Sequence, residues 1–308
     1  MSNDKKVKEI LVEHGLDFTI EKWPLNGKNG KGKELITPYF GLFNSSTGTC
    51  INTCKAGYTI SQNADIVKMV LRGIEGFGDN LTVQKAGSIH EGRKVYMQLA
   101  IEGDSILKDG DRIKRYVTII DSNDGSTSLS VGIGDMTMSC ENQFFKFYKA
   151  GEAKFRHTST IEEKIKKIPS LIETALRVSL KQVDLYRHFQ STPVSKALAN
   201  ELVNAVLGHD RISLLREQKE LPTRSQNIMD SLYEAIAKET KDKGMNLWGL
   251  HSGVTRWTTH DRKGPKRTNG KEESLIIGTG YQKALASLKF VSGIAKVELE
   301  PELILEEV

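Results

Sequence analysis

The chain is poor in the residues that build covalent or membrane-bound scaffolds. Its 308 residues include only three cysteines, Cys50, Cys54 and Cys140, an odd number without regular spacing. That argues against the disulfide framework of a small secreted protein and suits a reducing compartment. Cys50 and Cys54 have three residues between them, but no second Cys/His pair completes a zinc pattern, so both read as small buried side chains. No run of 18 apolar residues occurs, so the sequence predicts no membrane-spanning helix. The opening MSNDKKVKEILVEHGL places Lys5, Lys6, Lys8 and Glu9 where a secretory leader needs an apolar stretch. A cytoplasmic protein is the expectation. No internal repeat is visible.

Complete catalytic signatures are lacking too. Gly27 to Lys33 (GKNGKGK) comes close to a phosphate-binding loop. It then places Glu34 where a metal-binding hydroxyl is needed, and it leads towards a strand rather than a helix. Asp121, Asn123 and Asp124 suggest a calcium loop, but the glycine falls one position early and Gly132 stands where a glutamate should close the loop. A polar hairpin tip is the simpler reading. Cys140 and His157 could form a nucleophile–base pair, but no third residue stands out to orient them. The expectation is a protein that acts by binding, with no enzymatic activity, no metal and no cofactor.

What is present is an ordinary globular composition: 38% hydrophobic and 27% charged residues, with a formal net charge of +5 and a pI near 8.9. The periodicities predict an α+β fold, with an antiparallel strand-rich N-terminal core and packed helices, followed by a helical C-terminal part. Asn3 or Asp4 caps a first helix that stops at Gly15. A short strand over 18–23 closes at Pro24, and a basic loop follows. Residues 39–61 read as paired strands. A helix follows Gln62, and hairpins turn at Glu91-Gly92 and at Asp124-Gly125. From Glu141 the pattern turns helical. Thr160 and Glu163 fit a capping box, and an amphipathic stretch runs through Leu171, Ile172, Leu176, Leu180 and Val183 to about Gln190, interrupted or restarted at Pro169. Further helices are expected over 197–207, 225–241 and 281–288. The spans 1–192 and 193–308 are taken as the strand-rich core and the helical region.

The segment after Cys140 carries the most suggestive chemistry. Phe145 and Tyr148 are interleaved with Lys146, Lys149, Lys154 and Arg156. Cations neutralise phosphates, and aromatic faces stack on unpaired bases. The bland alternative is a helix burying Phe144, Phe147 and Tyr148 at i, i+3 and i+4 with its lysines directed outward. Arg112, Lys114 and Arg115 add cations at the start of a strand. Arg256, Arg262, Lys263, Lys266, Arg267 and Lys271 form a second basic cluster, read as a mobile loop. Residues 297–308 (VELEPELILEEV) alternate acidic and apolar positions, as a docking segment or a packed strand would.

An ordered set of short motifs carries a resemblance. It begins with Gly15 to Ile20 (GLDFTI) and Trp23 to Leu25 (WPL), then Tyr58 to Asn63 (YTISQN), Lys85 to Ser88 (KAGS) and Gly92-Arg93. It is strongest at Asp121 to Ser126 (DSNDGS), Met138 to Asn142 (MSCEN) and Arg156 to Thr158 (RHT). It resumes at Asn246 to Gly249 (NLWG), Val254 to His260 (VTRWTTH) and Gly278 to Gly280 (GTG). Together these resemble the phage/plasmid-like protein family, a domain of unknown function. The chain departs from that pattern near His251 and at Thr259, where the family often has Asn and an acid. The resemblance implies a mobile-element protein. A remoter architectural similarity, to phage single-strand annealing proteins, implies single-stranded DNA as partner, annealing or recombination as process, and a homo-oligomer. The other function expected is that of an interaction protein, engaging a host or phage replication protein or a defence factor through 297–308.

Overall fold

A computed structural model describes residues 3–77, 80–126, 129–137, 143–148 (backbone only), 163, 165–208, 222–262 and 270–297. Helix α1 (Asn3–Glu13) leads into β1 (Ile20–Lys28), β2 (Glu34–Asn44) and β3 (Cys50–Lys55), an antiparallel sheet in the order β1-β2-β3. Helix α2 (Asn63–Glu75) precedes β4 (Leu81–Ile89), β5 (Lys94–Ile101), β6 (Ser105–Ile106), β7 (Arg112–Ser122), β8 (Ser130–Thr137) and β9 (Gln143–Tyr148). These strands form a second antiparallel sheet in the order β4-β5-β7-β8-β9, with β6 on β7. The helices α3 (Ile168–Gln190), α4 (Lys196–Leu207), α5 (Thr223–Lys243) and α6 (Leu247–Arg256) follow. After a π-helical turn (Trp257–Asp261) come α7 (Gly270–Ile276) and α8 (Thr279–Ala295). The fold is α+β, as the periodicities predict.

The period of two in β5 and β7 sorts their side chains. Val95, Met97, Leu99, Val117 and Ile119 pack beneath Val7 and Leu11 of α1, Val67 and Val70 of α2, and Ile168, Ile172 and Ala175 of α3. On the opposite face Tyr96 and Ile120 meet Leu275 and Ile276 of α7. Helix α3 extends past the sheet core. Its later residues Val183, Tyr186 and Phe189 join Ile113 of β7, Trp248 of α6 and Leu288 of α8. A further apolar cluster unites α4, α5 and α6 through Val203, Ile236 and Val254. Helices α5 and α6 approach closely because α6 carries Gly249 and Gly253. A Cβ at Gly253 would lie 2.5 Å from Ile236 Cα.

Several expectations need correction. Residues 143–148 form a strand, not the start of a helix: β8 offers a free edge, and pairing there satisfies six residues that would make barely two helical turns. Strand β1 continues through Pro24 to Lys28, with a bulge between Pro24 and Asn26. It lies at the edge of its sheet, where a missing N–H is tolerated. Cys54 is buried but Cys50 is exposed. The stretch read as a loop after Arg256 includes the π-helical turn and α7. Helix α6 was not expected at all. The capping-box helix at Ile161 falls outside the described residues. Pro169 stands in the first turn of α3, where its missing N–H costs nothing.

Candidate functional site

The three-stranded sheet has one face on the molecule and one in solvent. Ile20, Leu42, Ile51 and Cys54 fill the inner face. The register pairs Glu21 with Phe43, Trp23 with Gly41, Gly41 with Thr53 and Tyr39 with Lys55, so these residues share the outer face. Trp23 is 57% and Tyr39 47% exposed, and Phe43 is half-buried. A Cβ on Gly41 would come within 2.5 Å of the Phe43 ring and 3.1 Å of Leu25, so glycine is what lets Phe43 lie across the strand. Trp23 Nε1 donates to Glu21 Oε2 at 2.9 Å, which orients the indole.

Exposed lysines stand at the ends of these strands. Lys28, Lys31 and Lys33 stand at the β1–β2 tip and Lys55 at the end of β3. All four are exposed, and none has an ion pair with a described residue. The tip is closed by Asn29, whose Oδ1 accepts from Lys31 N and Lys33 N at 3.0 Å each, with Gly32 at φ +78°. The phosphate-loop-like sequence is therefore a hairpin turn. Lys22 is spent differently: its ammonium sits 5.0 Å from the Phe40 ring and donates to the carbonyls of Ala56 and Tyr58.

A second polar centre lies buried where the larger sheet meets the C-terminal helices. Tyr186 donates to Asp135 Oδ2 at 2.8 Å, and Asp135 stands opposite Arg115 in the β7–β8 register. Burial pushes the Asp135 carboxyl up to about 7, against the pull of the Tyr186 hydroxyl and Arg115. Burial also lowers the Arg115 guanidinium from its ordinary value. The Tyr186 ring lies 4.7 Å from Trp248 and 6.3 Å from His251, whose Nδ1 is 3.0 Å from Ser287 Oγ. Burial alone brings His251 down to about 3, so the imidazole is neutral. Asp135 Oδ1, Arg115 Nε, Gln182 Nε2 and Trp248 Nε1 have no hydrogen-bond partner among the described residues. The centre ties β8, α3, α6 and α8 together.

The residues expected to bind nucleic acid are divided by the fold. Arg112 is exposed, 3.9 Å from Asp104. Lys114 reaches Gln84 at 3.3 Å and the Tyr116 ring at 5.8 Å. Arg115 turns inward to Ser179 at 3.2 Å, because adjacent strand residues face opposite ways, so the three cations do not form one patch. In β9, Phe145 stands opposite Gly134, Lys146 opposite Ile133 and Tyr148 opposite Val131, and the strand runs next to α6, α7 and α8. Lys149, Lys154 and Arg156 lie outside the described residues, as do Cys140, His157, Lys263, Lys266 and Arg267. In the second basic cluster Arg256 pairs with Glu239 at 3.3 Å and Asp261 at 3.4 Å. Arg262 lies over the Trp257 ring at 5.7 Å. Of the calcium-like set, Asp121 and Asn123 are buried, and Asp124 pairs with Lys94 at 3.6 Å.

Sequence reasoning missed Trp23, Tyr39 and Phe43. The signal was there in the odd-numbered positions of two neighbouring strands, but a solvent face and a core face alternate alike. Among the described residues no His/Cys/Asp/Glu cluster could hold a metal ion, and no helix is long and apolar enough to cross a membrane. The sequence profile of one family, described as Domain of unknown function (DUF932), matches residues 51–277, well over half of the chain. The β1–β2 hairpin precedes that matched span. Neither the curated proteins nor the solved structures compared with the chain gave a match.

Proposed function

Since the chain belongs to the DUF932 family, which is defined without an activity, we propose its function from the site alone: it binds single-stranded DNA on the outer face of β1–β3. The observation that supports this reading is the placement of Trp23, Tyr39 and Phe43 on one solvent-facing surface of a sheet whose strand ends carry four exposed lysines with no ion pair to a described residue. Unpaired bases offer π-faces to aromatic rings, and the phosphates between them attract ammonium groups. Base pairs in a duplex hide those faces, so the arrangement favours separated strands. Binding needs no cofactor and no bond is made or broken.

In this reading the protein handles DNA strands during annealing or recombination in a mobile element, in keeping with the phage/plasmid-like resemblance. A homo-oligomer would repeat the surface along one strand and raise affinity through effective concentration.

Fluorescence anisotropy with a labelled oligonucleotide tests the reading. Replacing Trp23 with Ala should weaken binding by about 1–3 kcal/mol, the usual worth of one stacked base. Stability should hardly change, because the side chain is exposed. No binding by the intact protein at low salt would overturn the proposal.

A further inference from the structure

The β1–β2 hairpin leaves the body of the molecule. Strand β3 pairs only with Tyr39 to Phe43, so beyond Leu25 and Tyr39 the sheet is two-stranded. Every residue from 26 to 36 is exposed. Alternation along β1 puts Asn26, and Ile36 opposite it, on the side that Ile20 and Leu42 fill in the body. Ile36 is nevertheless 88% exposed, so no described residue covers that side of the arm. Leu35, opposite Gly27, falls on the other side with Trp23 and Leu25 and is 47% exposed. The arm therefore shows an aliphatic side chain to water on each face, over about 10 Å of strand from Leu25 to Lys28. A two-stranded ribbon alone is marginally stable in water. This one is tied at both ends: Thr37 Oγ1 donates to the Leu25 carbonyl at the bulge, and Asn29 closes the tip.

We infer that the arm is a wedge for the junction between single- and double-stranded DNA, with Ile36 set against the last base pair. The inference rests on the reading of the outer face as a surface for single strands. One strand would run over Trp23, Tyr39 and Phe43, and its complement would pass on the side of Ile36, so an arm that is apolar on both faces lies between the two. Aliphatic side chains serve in this way where proteins part stacked bases, because the face of a base pair, unlike its edge, has no hydrogen bond to lose. The charge at the tip fits: Lys28, Lys31 and Lys33 stand against Glu34 alone, so the arm ends in net positive charge where two phosphate backbones diverge. A lipid surface fits less well, because Asn29 to Lys33, the most polar part, would have to enter hydrocarbon ahead of Leu35 and Ile36. Two such tips repel each other, which disfavours pairing of arms between copies. Residues 298–308, the chain's own acidic and apolar stretch, lie outside the described residues and are not assigned to the arm.

The experiment is fluorescence anisotropy at low salt with one labelled oligonucleotide, used alone, as the overhang of a partial duplex, and annealed along its whole length. The fluorescent base 2-aminopurine in the last base pair of the partial duplex reports unstacking. The intact chain should bind the partial duplex about tenfold more tightly than the single strand, the order of affinity that burying one isoleucine provides, and should brighten the probe. The full duplex should bind most weakly. Ile36→Ser should fold as the parent does, because the side chain stands in water, and circular dichroism and thermal melting check this. It should keep the affinity for the single strand, lose the preference for the junction and leave the probe dark. Trp23→Ala should weaken both complexes alike. Equal affinity of the intact chain for single strand and partial duplex, or a preference that survives in Ile36→Ser, would overturn the inference while leaving single-strand binding in place. Vesicles of phosphatidylserine and phosphatidylcholine that retain the intact chain but not Ile36→Ser would overturn it too, and would assign the arm to a lipid surface. No binding to any of the DNAs overturns the reading of the outer face and the inference with it.

Discussion

Trp23 and Trp248 belong to two regions built from the same residue types, and their exposures of 57% and 3% mark what separates them. Around Trp23 the aromatic rings and cations stand in water, each lysine keeps its hydration, and no pairing is required. Around Trp248 the same ingredients are enclosed. Arg115 is weakened as a base, Asp135 holds its proton to near neutrality and His251 stays uncharged. Desolvation, not composition, sets these roles: it turns a polar group from a contact available to ligands into one committed to packing. The outer sheet face has its chemistry free for a partner, and the buried centre has spent its own on joining sheet to helices.

The sharpest way to break the comparison is one added methyl group in each region. At Gly253 a Cβ would press on the backbone of Ile236, which has nowhere to go, and Gly253→Ala should cost about 3 kcal/mol. At Gly41 the obstacle is the ring of half-buried Phe43, which can rotate into solvent. Gly41→Ala should cost less than about 1 kcal/mol in stability and still weaken oligonucleotide binding. Urea unfolding of the two variants decides. Equal destabilisation would remove the distinction.

A smaller effect concerns pH. Folding raises the Asp135 carboxyl from an ordinary carboxylate value to about 7, so between roughly pH 4 and 7 the native state holds a proton that the unfolded chain has lost. Its contribution is fully present in acid and disappears as the pH rises through 7. His251 acts in the opposite sense. Depressed to about 3, it favours the folded state above the unfolded histidine value near 6.5 and loses that advantage as the pH falls. The two slopes oppose each other over much of this range. Asp135→Asn removes only the first, so the variant should lose stability on acidification faster than the parent, by about 1.4 kcal/mol per pH unit. Denaturation midpoints at pH 4.5, 5.5 and 6.5 measure the difference. Parallel curves would mean that Asp135 is not the buried proton holder described.

The smallest effect belongs to the exposed lysines. Lys28→Gln should weaken oligonucleotide binding only a few-fold at moderate salt. It should also make the slope of log affinity against log salt shallower by about 0.7, as expected for one phosphate contact on a single strand. Titrations at three salt concentrations measure it, and an unchanged slope would take Lys28 off the path of the backbone.

How much of this could be read beforehand depends on whether a local pattern had one meaning. The helix over 63–75 was legible because Ile66, Val67, Val70 and Leu71 fall on a single stripe. The Asp124-Gly125 turn was legible because glycine supplies the positive φ of +70°. Residues 143–148 were misread because Phe144, Phe147 and Tyr148 satisfy a helical spacing while the same six residues also suit a short strand, and only the free edge of β8 decides between them. Helix α6 left no stripe to find: from Leu247 to Thr255 every residue is buried, and its two glycines, poor helix formers, serve close packing on α5. The outer sheet face was hidden for the opposite reason. Its alternation was visible, but nothing local says which side of a hairpin will meet the core.

Helix α3 belongs to both cores at once, with Ile168 to Val178 under the larger sheet and Val183 to Phe189 among the C-terminal helices. A 23-residue helix is a stiff rod of about 35 Å, and it cannot melt at one end without disturbing what the other end supports. Amide protons near its middle should therefore exchange only when the whole chain opens, and heat should produce a single transition rather than two. A chain cut after Thr192 would still carry Tyr186 and Phe189, but with the partners that enclose them gone. Those rings would then be sticky ends on an otherwise ordered fragment. Continuous α3 thus makes the protein's failure all-or-none, even though its architecture reads as two halves.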